Sequence, residues 1–102
     1  MQHSNIKIGN LDATITLPED YKPKCTPGII LTHGASGDHH MDQLLRIAEA
    51  FANAGYVCLR FTCKASALQQ RVDAFKRVLE EFEEGGRYPV SKCLLAGILV
   101  FT

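Results

Sequence analysis

Apolar and polar positions alternate over residues 5–8 and again over residues 12–17, with Gly9-Asn10 between them, a pattern that predicts a β-hairpin. Residues 18–27 are polar, hold three of the four prolines and read as a surface loop. The alternation then disappears. Gly28-Ile29-Ile30-Leu31-Thr32 is an apolar run, the pattern of a strand covered on both faces, and residues 56–62 form a second such strand rich in β-branched and aromatic types.

Between these strands the period changes to that of a helix. Met41, Leu44, Leu45, Ala48, Phe51 and Ala52 share one face of a helix expected over residues 39–54, with Asp38 as the N-cap and Gly55 as the residue that ends it. A second helix, over residues 65–84, has Leu68, Val72, Phe75, Val78, Leu79 and Phe82 as a core stripe. Gln69, Arg71, Asp73, Lys76, Arg77 and Glu80 fall on its other side. Its end carries Glu80, Glu81, Glu83 and Glu84, unfavourable for the helix dipole and read as a solvated face. Gly85-Gly86 stops the helix, and residues 92–101 give a last, very apolar strand. Hairpin, strand, helix, strand, helix, strand is the front half of an open, doubly wound α/β sheet. Strand-helix-strand units of this kind are right-handed crossovers joining parallel strands.

Composition adds mainly exclusions. The 102 residues read as a single domain with no internal repeat or low-complexity tract, and eleven acidic residues balance eleven basic ones. No basic field is present to recruit nucleic acid or anionic lipid, so neither nucleic acid nor membrane is an expected partner. The start, Met1-Gln2-His3-Ser4-Asn5, is polar and has no signal-peptide pattern, which sets the expected compartment as cytoplasmic or nuclear and not secreted. Cys25, Cys58, Cys63 and Cys93 lack metal-binding spacing and read as reduced thiols. Cys58 and Cys63, five positions apart, should face opposite sides of the sheet, and His39-His40 reads as a solvated helix start. Neither a metal nor a cofactor is expected.

The segment after the first central strand, His33-Gly34-Ala35-Ser36-Gly37-Asp38, is the candidate site. In open α/β sheets ligands bind beyond the carboxyl ends of the strands, where this loop and Thr62-Cys63-Lys64 would both lie. Gly34 and Gly37 permit close backbone approach, so N–H groups from Gly34 to Ser36 could meet a substrate oxygen; the same glycines also suit a tight strand-to-helix turn and nothing more.

The segments 28–38, Gly-Ile-Ile-Leu-Thr-His-Gly-Ala-Ser-Gly-Asp, and 58–64, Cys-Leu-Arg-Phe-Thr-Cys-Lys, resemble the testis-expressed protein 30 group of α/β-hydrolase-like proteins, related to dienelactone hydrolases. The resemblance runs to Gly97 and implies the front half of an α/β-hydrolase fold: an N-terminal β-hairpin plus three parallel strands with two flanking helices. It implies an oxyanion-hole loop of His33, Gly34, Ala35, Ser36 and Gly37, with the Ala35 N–H as donor and His33 structural. The family reaction would be hydrolysis of an ester or related acyl bond.

The resemblance also sets a departure. The family continues the last strand into a Gly-x-Ser-x-Gly nucleophile elbow, with the triad Asp and His later still. Here Gly97 is followed by Ile98-Leu99-Val100-Phe101-Thr102, Leu99 stands at the serine position, and Ala65 replaces a common family glycine. Ser36, Ser66 and Ser91 sit in no elbow, and a Cys63–His33 pair lacks an orienting third group. The expectation is therefore a catalytically inactive chain with no catalytic residues, ending differently from its relatives, as from alternative splicing. Two other classes stay open. One is an interaction module that meets a second copy or another protein through its C-terminal edge strand. The other is a small anion-binding doubly wound domain, though Asp38 and the missing phosphate-loop motifs speak against it.

Overall fold

A computed structural model describes residues 1–32, 42–63 and 68–97; for Leu68 and residues 93–97 only the backbone is described. Five strands form one mixed sheet: β1 (Gln2–Ile8), β2 (Leu11–Leu17), β3 (Gly28–Thr32), β4 (Val57–Phe61) and β5 (Cys93–Gly97). The spatial order is β1-β2-β4-β3-β5. β1 and β2 are an antiparallel hairpin, β2 pairs antiparallel with β4, and β3 runs parallel to both β4 and β5. At the hairpin turn Gly9 takes a φ of 60°, which glycine adopts without a Cβ penalty.

Helix α1 (Asp42–Asn53) connects β3 to β4, and α2 (Leu68–Leu79) connects β4 to β5. Side chains alternate along the central strands, and each set meets its own helix. Ile29, Leu31 and Cys58 pack with Leu44 and Ala48 of α1. Ile30, Val57, Leu59 and Phe61 pack with Val78 and with Phe82, together with Ile8, Ala13 and Ile15 of the hairpin. The two helices thus cover opposite faces. That is what right-handed crossovers require, because the chain moves outward from β3 to β4 and then back past β3 to β5.

The α1 terminus shows how locally the sequence dictates structure. Gly55 has a φ of 96°, its N–H donates to the Ala52 carbonyl at 3.0 Å, and the Tyr56 N–H donates to Phe51 at 2.9 Å. These bonds form a Schellman cap, and the apolar contact that accompanies such caps is the edge-on packing of Tyr56 against Phe51, centroids 5.4 Å apart. The second helix ends earlier than its pattern predicts. It stops at Leu79 and tightens into a 3-10 turn, Glu80–Phe82. Leaving the α-helix there carries Glu81 to an ion pair with Arg87, while Glu84 meets Lys24 at 3.1 Å.

Hairpin polarity also differs from simple alternation. Thr14 and Thr16 are buried on the α1 side of the sheet. The Thr14 hydroxyl donates to Asn5 at 2.8 Å, and Thr16 lies 2.9 Å from the His3 ring nitrogen, so both buried hydroxyls have partners. The loop before β3 and the loop before β5 are stitched together: the Lys24 N–H and the Tyr21 hydroxyl donate to the Pro89 carbonyl, and the Ser91 N–H donates to Thr26.

Candidate functional site

Because α1 and α2 leave the sheet on opposite faces, the crevice of this architecture opens beyond the carboxyl ends of β3 and β5. Thr32 ends β3 and stands in register with Gly97, the last residue of β5. On the α2 side of these ends, Thr32, Phe61, Cys63, Arg71 and Phe75 line a cavity of about 130 Å³, room for a few solvent molecules or a small polar group. Phe61 and Phe75 meet edge-on with centroids 5.7 Å apart and tie the end of β4 to α2.

The loop residues His33, Gly34, Ala35, Ser36 and Gly37 lie outside the described residues, as do Asp38, the His39-His40 pair, Ser66 and Leu99. What is described is the residue that hands the chain to that loop, Thr32, half-buried at the crevice. Cys63 is buried and lines the cavity, so it is at the strand end where the sequence puts it. Among the described residues no group of three His, Cys, Asp or Glu side chains could hold a metal ion.

Two arginines near the crevice carry no assignment in the sequence. Arg71, which falls on the polar side of its helix by pattern, is half-buried and lines the cavity beside Phe75. Their spacing of four residues, which puts them on one helix face, is the signal for it. Arg60 points to the α1 face of β4, 3% exposed, level with Thr14 of β2 and Leu31 of β3. Burial pulls its guanidinium below its ordinary pKa, against the opposing pull of Cys58 and Glu49. A strand covered on both faces leaves no exposed position for Arg60, and the packing shows which face takes it. Burial acts in the other direction on its neighbour, pushing the Cys58 thiol up to about 12 despite the positive charge of Arg60. A thiol held neutral in this way is an inert core group, not a nucleophile.

No family model matches the chain. Similar solved structures do exist. Est1E from Butyrivibrio proteoclasticus superposes with a TM-score of 0.73 at 19% identity, over 95% of this chain and 40% of that one. An α/β serine hydrolase homologue from Coxiella burnetii gives 0.69 at 22% identity, over 95% of this chain and 51% of its own. A lidless α/β serine hydrolase from Xanthomonas campestris gives 0.69 at 18%, over 96% and 51%. The chain thus spans about two-fifths to one-half of the length of these structures. With its hairpin, three parallel strands and helices on opposite faces, it has the fold of the front half of an α/β hydrolase.

Proposed function

We propose that this chain is a hydrolase-like protein of the testis-expressed protein 30 group, whose family reaction is ester or related acyl-bond hydrolysis, and that these 102 residues alone are catalytically inactive. The observation that carries the reading is the sequence after β5. Gly97 leads to Ile98-Leu99-Val100, so the position that a hydrolase elbow gives to serine is leucine, and the 102 residues hold no Gly-x-Ser-x-Gly. The fold supports the family half of the reading, since β3 and β5 end side by side at Thr32 and Gly97, where an elbow and an oxyanion loop would have to meet. In this reading His33, Gly34, Ala35, Ser36 and Gly37 form an oxyanion-type loop, with the Ala35 N–H as its donor. A donor site without a nucleophile retains only a modest acceleration over water.

A second reading has its own observation. Among the described residues β5 is an outermost strand of the sheet, and an outermost strand offers N–H and C=O groups to another chain. The chain would then act as an interaction module, with a second copy or another protein as partner.

The test of the first reading is turnover of p-nitrophenyl acetate by the purified 102-residue chain. The expected rate equals that of the Cys63→Ala, His33→Ala double variant. A rate clearly above this control would assign a nucleophile that the reading denies.

A further inference from the structure

Among the described residues β1 is the outermost strand on the hairpin side, at the opposite edge of the sheet from β5. Its register with β2 runs unbroken from Gln2 to Ile8 and it contains no proline, two features that leave an edge open to pairing. The strand's one lysine, Lys7, is no guard, because its ammonium pairs with Asp12 of β2. Which backbone groups face outward follows from the next ladder. The Thr62 N–H donates to the Asp12 carbonyl at 2.9 Å, so Asp12 turns its backbone groups to β4 and away from β1. Lys7 and Asp12 therefore exchange no backbone hydrogen bonds, nor, by alternation, do Asn5 and Thr14 or His3 and Thr16. The outward N–H and C=O groups of β1 are those of His3, Asn5 and Lys7.

One of these groups is already taken. The Arg87 guanidinium, carried by the connection between the 3-10 turn and β5, donates from Nη2 to the Lys7 carbonyl at 2.9 Å. Glu81 of the turn holds the same guanidinium in place, accepting from Nε at 2.8 Å and also from Nη2. The Glu81 side chain is only 15% exposed, so the anchor of this contact is fixed by packing. We infer that Arg87 guards a strand-pairing site on β1, and that the occupant it excludes is a second copy of this chain.

A second copy fits because the edge is complementary to itself. In an antiparallel pairing centred on Asn5, His3 faces Lys7 of the second copy, Asn5 faces Asn5, and every outward group enters the ladder. No like charges stand opposite one another in that register. Centring on Ser4 would instead bring Lys7 opposite the Met1 ammonium, and centring on Lys7 would set two lysines face to face. The register centred on Asn5 needs the Lys7 carbonyl as the acceptor for the His3 N–H of the second copy. That oxygen is the atom to which Arg87 donates.

The experiment compares the 102-residue chain with Arg87→Met and with Arg87→Gln, which is polar but too short to span Glu81 and the Lys7 carbonyl. Sedimentation equilibrium should show both variants dimerising at least about tenfold more tightly than the unsubstituted chain, because the ladder regains two symmetry-related bonds. Amide exchange locates the contact: the His3 and Asn5 N–H groups should become protected as either variant is concentrated, and not in the unsubstituted chain over the same range. Adding His3→Pro deletes the donor for the Lys7 carbonyl at an edge position that tolerates proline, and should return Arg87→Met to the unsubstituted affinity. Equal association of the variants and the unsubstituted chain would overturn the inference. Tighter dimers in which His3 and Asn5 exchange as before would also overturn it, because the contact would lie elsewhere, as at β5. Loss of the circular-dichroism signal in both variants would do the same, making Arg87 a support of the fold and not a guard of its edge.

Discussion

The ring of Phe82 lies over Gly28, so close that a Cβ on Gly28 would come within 2.8 Å of the Phe82 Cε2 and 2.9 Å of the Val90 Cγ1. The first residue of β3 is thus the floor on which the 3-10 turn after α2 rests. The bond from the Val90 N–H to the Phe82 carbonyl, at 3.1 Å, holds the roof in place. Gly28→Ala should therefore destabilise the chain by about 1–3 kcal/mol, since the buried ring and the valine must move. The check is urea denaturation. An unchanged midpoint would mean that Phe82 is not seated on β3 as described.

The open flank of α2 and the 3-10 turn that follows it should respond very differently to truncation. Phe82 is 3% exposed in the larger core cluster, and Phe82→Ala should cost about 3–5 kcal/mol. Val72→Ala on the open flank should change stability by no more than about 0.5 kcal/mol in the free chain. Similar losses for both substitutions in thermal or urea unfolding would show that the flank is covered in solution.

This contrast marks how far the sequence is legible. The apolar run Gly28–Thr32 predicts β3 to the residue, because a strand buried on both faces needs no partner information to be recognised. Cys58 and Cys63 fall into opposite clusters, as their odd spacing along an extended segment requires. A helical stripe cannot tell which of its members meets a neighbour, and so Val72 and Phe82 look alike in sequence although only one is core. Arg71 is hidden for the same reason, and so is the face that takes Arg60: both are set by elements distant in sequence. The early end of α2 goes with a contact that no helical stripe records, the pairing of Glu81 with Arg87 beyond the helix. The candidate loop, His33 to Gly37, rests on sequence and resemblance alone.

Gly55→Ala isolates a backbone effect. A Cβ there would touch nothing within 4 Å, yet the residue holds a φ of 96°. The cost should be about 1 kcal/mol, arising from the left-handed conformation of the α1 cap and not from packing. Hydrogen exchange should accelerate at Gly55 and Tyr56, the two cap donors, before it does in β4; uniform acceleration would contradict a local cap.

Burial raises the Cys58 thiol from an ordinary 9.0 to about 12 in the folded chain. Between those values the unfolded chain has released the thiol proton and the folded chain still holds it. The contribution of this group to stability is therefore complete below about pH 9 and falls by about 1.4 kcal/mol per pH unit above it, until the folded thiol also ionises. Cys58→Ala should flatten the alkaline limb of the stability curve. A limb of unchanged slope would show that other groups produce it. At neutral pH, exposed Cys25 should alkylate at once, while Cys58 should react only at the rate of unfolding.

Intact-mass analysis of the purified 102-residue chain after exposure to a fluorophosphonate tests the central claim most directly, because the probe reports an activated serine without requiring a known substrate. A hydrolase-type sheet with leucine at position 99 should give no adduct under conditions that fully label an active serine hydrolase. A stoichiometric adduct on Ser36, Ser66 or Ser91 would place a working nucleophile in these residues and contradict the account.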